Sequence, residues 1–421
     1  MSVAVPLSLG QLSVWQDIRD LPPTRWHEAN NAALWALPHG VGTAEVRTAV
    51  RAVVARHPSL RTRYDIHDPG SPGQLAPDTE FSDALPVADA DDRPPAGLVA
   101  GPAAEPFRLG SEHGWRATLL TRAGAPSHLL FVKHHIAADA WAQEVLRQEF
   151  TRALTDPSGL GPTVAPGPAE LAAVQHAPAG LRRQSAALGH WERLLDRAPS
   201  AALPAPAGGT GSVLQATLRS GPAVTAARTV AAAAGVSVPS VVLAAYARSV
   251  ARICGTDTLL VQLMSANRFT ARWQNVVTSM NQWVPALIEG ALRNDLRALA
   301  AAAHWSSLGA FRHGAHDVTA VAALRARRPD APEPVCAFNY VAVPGQSDQP
   351  SPEAGEHAPV IETAITWEEP FTTIGPRCYA RAVESPHEMS VRLTAKDVSR
   401  EQCTALLRDM HDALLSTAGE C

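Results

Sequence analysis

HLLFVKHHIAADAWAQEVLRQEF, residues 128–150, decides the fold of this chain. It begins as an apolar run from His128 to His134 that suits a core strand. After His135 the period changes, and Trp141, Val145, Phe150 and Leu154 recur near one face of a helix expected over Asp139–Leu154. A strand-to-helix junction therefore falls on His134-His135-Ile136-Ala137-Ala138-Asp139. Imidazole is the one side chain whose ordinary pKa lets it exchange protons near neutrality, so adjacent histidines at such a junction ask for a chemical reason. Successive strand residues point to opposite faces. If the strand continues through position 135, one histidine addresses a cavity and the other packs or braces. Asp139, in the first helical turn, can bond backbone N–H groups or hold a cation, which would fix the loop that presents the histidine. The run offers three potential metal ligands but no HExxH helix or nearby cysteines, so no metal is expected.

Working outward, Trp115–Leu120 and His128–His134 read as a hairpin about the turn-like AGAPS. Ser8 can cap a helix to about Asp20, Asn30–Leu37 reads as a strand, Thr43 opens a helix ending near His57, and Leu60–Ile66 reads as extended. Residues 67–104 read as loop. From 155 to 211 the chain is rich in Pro, Gly and Ala, with one helical island at Leu181–Leu195, the pattern of a connection. A boundary is placed near 175, giving units 1–175 and 176–421. The second half mixes the same elements: strands Val213–Leu218, Leu259–Ser265, Val335–Val343 and Val391–Leu393, a further apolar segment at Asn281–Leu287, helices near Pro222–Ala234 and Val238–Ile253, a helical stretch from Asn294 to Arg328, and a final helix Ser399–Ser416. The class is α+β.

A length of 421 residues exceeds the size at which a single core usually stops growing. A hydrophobic content of 46% against 18% charged, and a net charge of -4, offer no broad field for nucleic acid or acidic membranes. Only Lys133 and Lys396 are lysines, so nearly all basic charge is arginine. The five cysteines are widely spaced without a CxxC pair, which supports neither a disulfide framework nor a zinc ribbon. With no basic leader and no long apolar run, the expected location is the cytoplasm.

HHIAADA resembles the HHxxxDG signature of nonribosomal peptide condensation domains, in the chloramphenicol-acetyltransferase-like superfamily, with Ala140 where glycine is usual. Other segments resemble the family in the correct order. They are Pro6-Leu7-Ser8 with Gln11 and Trp15; Arg56-His57-Pro58-Ser59-Leu60-Arg61-Thr62-Arg63-Tyr64; Pro106-Phe107-Arg108-Leu109; His190-Trp191; Ser265-Ala266-Asn267-Arg268; Ser279-Met280-Asn281-Gln282-Trp283-Val284-Pro285; and Phe338-Asn339-Tyr340.

The resemblance implies two acetyltransferase-like subdomains forming a V-shaped pseudodimer with the active site in a tunnel between them. It also implies His135 as the catalytic residue, His134 and Asp139 in support, and Arg61 as the partner of Asp139. Ala140, Trp141, Asn281, Gln282 and Trp283 are candidates for the tunnel wall, although Trp15, Trp141 and Trp283 are read first as core aromatics. The implied activity is amide or ester formation between an acyl or aminoacyl thioester on a carrier protein and an acceptor amine or hydroxyl. The acceptor is carrier-bound or a free small molecule. The substrates ride on phosphopantetheine arms, no cofactor is bound covalently, and the enzyme is expected to be a free-standing monomer. Two alternatives stand beside this: an acyl-CoA-dependent acyltransferase of the same fold, whose DFGWG-like motif is absent here, and a non-catalytic recruitment platform, against which the intact HHxxxD run counts.

Overall fold

Ala123 and Gly124, at φ 50° and 77°, form the tight turn that folds Trp115–Arg122 back onto Ala125–His134. Positive φ at both central residues matches the right-handed twist of the flanking strands. The structure, a computed structural model, describes residues 4–81, 85–91, 93–156, 158–160, 164–204, 213–342, 362–370, 372 and 374–421. Val343, the expected end of one strand, lies outside the described residues.

Contacts within the chain define two compact units. The first comprises the chain up to Ser185 together with Ala266–Gln282 and Ala315–Ala320; the second comprises Ala186–Ser265, Trp283–Gly314 and Val321–Cys421. This differs from a single cut near 175. That position lies inside a helix, Pro168–His176, which belongs to the first unit because Gln175 accepts a hydrogen bond from the Leu9 N–H (2.9 Å) through its side chain and one from Gln184 (2.8 Å) through its carbonyl.

In the first unit a four-stranded sheet runs in the order Asn30–Ala36, Ala125–His134, Trp115–Arg122, Val87–Asp89, the last pair parallel and the others antiparallel. Its central strand is the apolar run singled out above. Phe131 stacks on Trp35 (4.8 Å between ring centroids), and Trp35 in turn meets Phe150 at 5.5 Å, which ties the sheet to the helix Ala140–Thr155. Each such buried aromatic contributes roughly 1.5–3 kcal/mol. The helix Thr43–Arg56 packs beside Ala140–Thr155, where Glu149 takes hydrogen bonds from Arg56 (3.1 Å) and His57 (2.6 Å). The helix Leu9–Ile18 opens with a complete capping box between Ser8 and Gln11.

Two regions of this unit differ from the sequence reading. Leu60–Ile66 begins in a 3₁₀ turn, Pro58–Arg61, and within it only Tyr64–Asp65 forms a strand, because Pro58 starts a turn directly after the preceding helix. The loop region 67–104 contains a helix, Pro95–Ala103, begun by proline at its first position.

The second unit has a seven-stranded sheet in the order Gln282–Glu289, Thr258–Ser265, Cys336–Ala342, Cys378–Glu384, Met389–Lys396, Val213–Ser220, Ala364–Glu368, with parallel pairing confined to the strand Cys336–Ala342 and its two neighbours among the registers described. Helices Gly221–Ala234, Val238–Cys254, Leu296–Phe311 and Arg400–Gly419 share one apolar core with it. No single helix among the described residues is long and apolar enough to cross a membrane.

Candidate active site

From Leu129 to Asp139 every residue is buried except His135, which is partly accessible. The strand pairing persists to this point: the His134 N–H donates to the Gly114 carbonyl (2.8 Å) and the His135 N–H to that of Ala29 (2.9 Å). His134 is fully buried, lies edge-on to Phe107, and its Nδ1 accepts the N–H of Ile136 at 3.2 Å. It therefore acts as a brace for the turn that follows. Burial, with His135 and Lys133 nearby, pushes its pKa down to about 3.

The turn itself is held from behind through three consecutive carbonyls. Tyr64 Oη donates to that of Ile136 (3.4 Å), Ser59 Oγ to that of Ala137 (2.6 Å), and Lys133 Nζ to that of Ala138 (2.7 Å). Ser59 and Tyr64 come from the Arg56–Tyr64 motif, so that segment serves as a scaffold for the histidine turn. Lys133 is fully buried, which brings its pKa down to about 8. Burial and the nearby Lys133 charge also lower His135, to about 4, against the opposing pull of Asp139. At neutral pH its imidazole is uncharged and able to accept a proton.

Asp139 caps the helix Ala140–Thr155 by accepting the Ala142 N–H at 2.8 Å. Both its oxygens also meet Arg268 Nη2 (2.9 and 3.0 Å), and Oδ2 accepts the Met280 N–H at 3.0 Å. The Arg268 charge and these backbone donors hold the carboxyl below the usual carboxylate range despite burial. The expected partner, Arg61, is corrected here. Its guanidinium folds back onto the carbonyls of Val54, Ala55 and Asp78, two of which are orphan acceptors at the end of the Thr43–Arg56 helix. Arg268 lay in a segment recognised for its resemblance, but nothing in local spacing points from residue 268 to residue 139. With Asp139 committed to Arg268 and His134 Nδ1 to Ile136, these side chains lack the convergence a metal ion needs.

Returning segment 278–282 completes the site. The Thr278 carbonyl accepts from Asp139 N–H (3.4 Å) and Arg268 (3.1 Å), and Ser279 Oγ stands 3.3 Å from His135 Nδ1. Ser279 also donates to Asn281 Oδ1 at 3.0 Å. Ser279 heads a segment noted for its resemblance but is not among the candidate site residues read from the sequence. Gln282 is buried, with its amide spent on the backbone of His316 (2.8 and 3.2 Å), so it is no free wall residue. Ala140 is exposed and helical. Trp141 is 42% exposed, against the expectation of a core aromatic: the inward stripe of its helix runs through Ala142, Leu146, Phe150 and Ala153, and Trp141 lies one residue, a rotation of about 100°, off its start. Trp15 is core, at 3% exposure. In the second unit Trp283 is half-buried and edge-on to Tyr379 at 5.2 Å.

The Condensation domain family model matches residues 23–353. The chain is similar to the bassianolide nonribosomal cyclodepsipeptide synthetase of Beauveria bassiana, at 30% identity over 183 residues, covering 40% of this chain and 6% of that protein. It is also similar to the enniatin synthetase of Fusarium oxysporum, at 36% identity over 130 residues, covering 29% of this chain and 4% of that protein. The chain thus spans a small fraction of the length of these relatives. Among solved structures it is similar to the condensation domain of chain release from the enacyloxin polyketide synthase (TM-score 0.75, 21% identity, 98% of this chain and 83% of that one). The SgcC5 protein of Streptomyces globisporus gives a TM-score of 0.73 at 20% identity, over 99% of both chains. The X-domain from teicoplanin biosynthesis gives 0.75 at 18% identity, over 100% of this chain and 96% of that one. At these identities the likeness to solved structures is one of fold.

Proposed function

We infer from membership of the Condensation domain family, to which this chain belongs, that it joins an acyl or aminoacyl group, carried as a thioester on the phosphopantetheine arm of a carrier protein, to an acceptor amine or hydroxyl beside His135. The observation that carries this reading is a neutral, partly accessible imidazole at position 135 amid otherwise buried neighbours.

In the reaction the acceptor nitrogen or oxygen attacks the thioester carbon, the carbon–sulfur bond breaks, and the acceptor proton finally resides on the departing thiol. A histidine whose pKa is held near 4 is a weak base toward a resting amine. It takes the proton more readily once attack has made the nitrogen cationic and acidic. Its role is thus to accept a proton late and to hold the acceptor in line. A hydroxyl acceptor would call on it earlier, because an alcohol is a poor nucleophile until its proton begins to leave.

The test loads a donor acyl group on a carrier protein, supplies candidate amines and alcohols, and reads the products by intact mass. His135→Ala is expected to lower turnover by roughly 100-fold or more. Equal rates in the two proteins would overturn the role of His135. Transfer from acyl-CoA but never from a carrier would favour the CoA-dependent acyltransferase, and capture of another enzyme without turnover would favour the platform.

A further inference from the structure

Alternation along the strands Cys378–Glu384 and Met389–Lys396 sends Ala380, Ala382, Val391 and Leu393 into the apolar core of the second unit and leaves Arg381 and Arg392 on the opposite face of its sheet. The register sets these two arginines directly across from each other. Like charges so placed repel, and both side chains are half-buried, where a guanidinium without a partner is costly. Among the described residues neither guanidinium has a hydrogen bond or an ion pair, and Arg392 Nε is buried with no acceptor. Burial, with the facing Arg392, pulls the Arg381 pKa below its usual value, yet an arginine stays charged.

The carboxylates on and beside the neighbouring strands are committed elsewhere. Glu368 accepts from Gln215 and Thr217 at 2.8 Å each, Glu388 pairs with Arg219 at 3.0 Å, and Glu384 takes Arg228 and the Tyr340 hydroxyl. On the face that carries the two arginines, Tyr379 accepts the Asn339 amide at 3.2 Å through Oη, so the phenol hydrogen is left to give, and no described residue takes it. Trp283 stands edge-on to the same ring at 5.2 Å. Two guanidiniums and a phenol hydroxyl thus offer donors and two positive charges without an acceptor to meet them. We propose that Arg381, Arg392 and Tyr379 bind the carboxylate of an organic acid, its two oxygens taking the guanidinium forks and the phenol hydrogen, with Trp283 beside its hydrocarbon body. The rings reward an apolar body, which inorganic phosphate lacks. The site goes beyond the reaction read at His135, and its occupancy is measured without turnover, so either reading can fail alone.

Calorimetric titration of the protein with benzoate, neutral benzamide and inorganic phosphate, in buffer low in chloride, tests the site. Benzoate is expected to bind at least about 10-fold more tightly than benzamide or phosphate. Arg381→Gln and Arg392→Gln should each weaken benzoate roughly 10- to 100-fold, and Tyr379→Phe several-fold. Arg219→Gln, on the same face but already paired with Glu388, should change it by less than about threefold. Removing one of two facing charges should also leave the unliganded thermal midpoint unchanged or raised, while the rise that benzoate gives the wild type is lost. Benzoate binding no tighter than benzamide or phosphate overturns the proposal in the wild type alone, whether or not a variant folds. Undiminished benzoate binding in both arginine variants overturns it as well, and a lowered unliganded midpoint in both would show that the pair serves the fold instead.

Discussion

At the residue scale, two buried groups set the sensitivity of the site. Asp139 and Arg268 are both nearly inaccessible, with side chains at 3% and 1%. Asp139→Ala would leave a guanidinium in the interior without its carboxylate, at an expected cost of about 3–5 kcal/mol. Urea denaturation measures this, and Arg61→Ala, which loses hydrogen bonds to the carbonyls of Val54, Ala55 and Asp78 but leaves no buried charge behind, should cost far less. His134 and His135 bring a pH dependence of definite sign. Their folded pKa values, about 3 and about 4, lie below the unfolded value of about 6.5. Between these limits the unfolded chain binds more protons, so stability falls as the pH drops through this window. For the fully buried His134, each unit crossed costs about 1.4 kcal/mol. Calorimetry between pH 7 and 4.5 should show a falling midpoint with a shallower slope in His134→Gln; identical slopes would contradict a neutral, buried His134. What the sequence disclosed at this scale was whatever sits in one contiguous run: the two histidines and Asp139, whose chemistry and spacing are local. Arg268 and Ser279 reach the same atoms from more than 120 residues away, and no periodicity links such positions.

At the scale of elements, periodicity made the strands and helices around the site legible, and tight turns made them less so. The hairpin was placed correctly, but its turn is two residues long with Ala123 at φ 50°. An L-residue with a β-carbon pays about 1–2 kcal/mol in that region, while asparagine tolerates it. Ala123→Asn, at an exposed position, is therefore expected to stabilise the protein by about 0.5–1 kcal/mol, read as a rise in thermal midpoint. The helix Leu9–Ile18 yields a prediction of opposite sign. Gly10→Ala would normally favour a helix, yet here the methyl group meets the Ser279 backbone. A loss of about 1–3 kcal/mol is expected, together with a fall in turnover, since the displaced residue is the one beside His135. Unchanged stability and turnover would show that the two backbones can part freely. Helical propensity alone gives no hint of this conflict, because the obstacle is a chain segment some 270 positions away.

At the scale of the whole molecule, the class and the two-unit plan followed from length and mixed periodicity, but the partition did not. Composition locates a linker where the chain is rich in Pro and Gly, whereas the first unit also recruits Ala266–Gln282 and Ala315–Ala320. A fragment ending at Ser185 would lack Arg268, Thr278 and Met280, hence every partner of Asp139 outside its own helix. It is expected to fail to unfold cooperatively in urea, while the full chain does so. A sharp, full-sized transition in the fragment would show that the returning segments are dispensable. The scarcity of lysine also has a practical side. Lys133 is sealed beneath the histidine turn and Lys396 is the lysine that solvent reaches. An amine-reactive dye, crosslinker or resin will therefore find a single side-chain address on the folded protein, in the second unit and away from His135 in sequence, and labelling of Lys133 will report that the site has come apart.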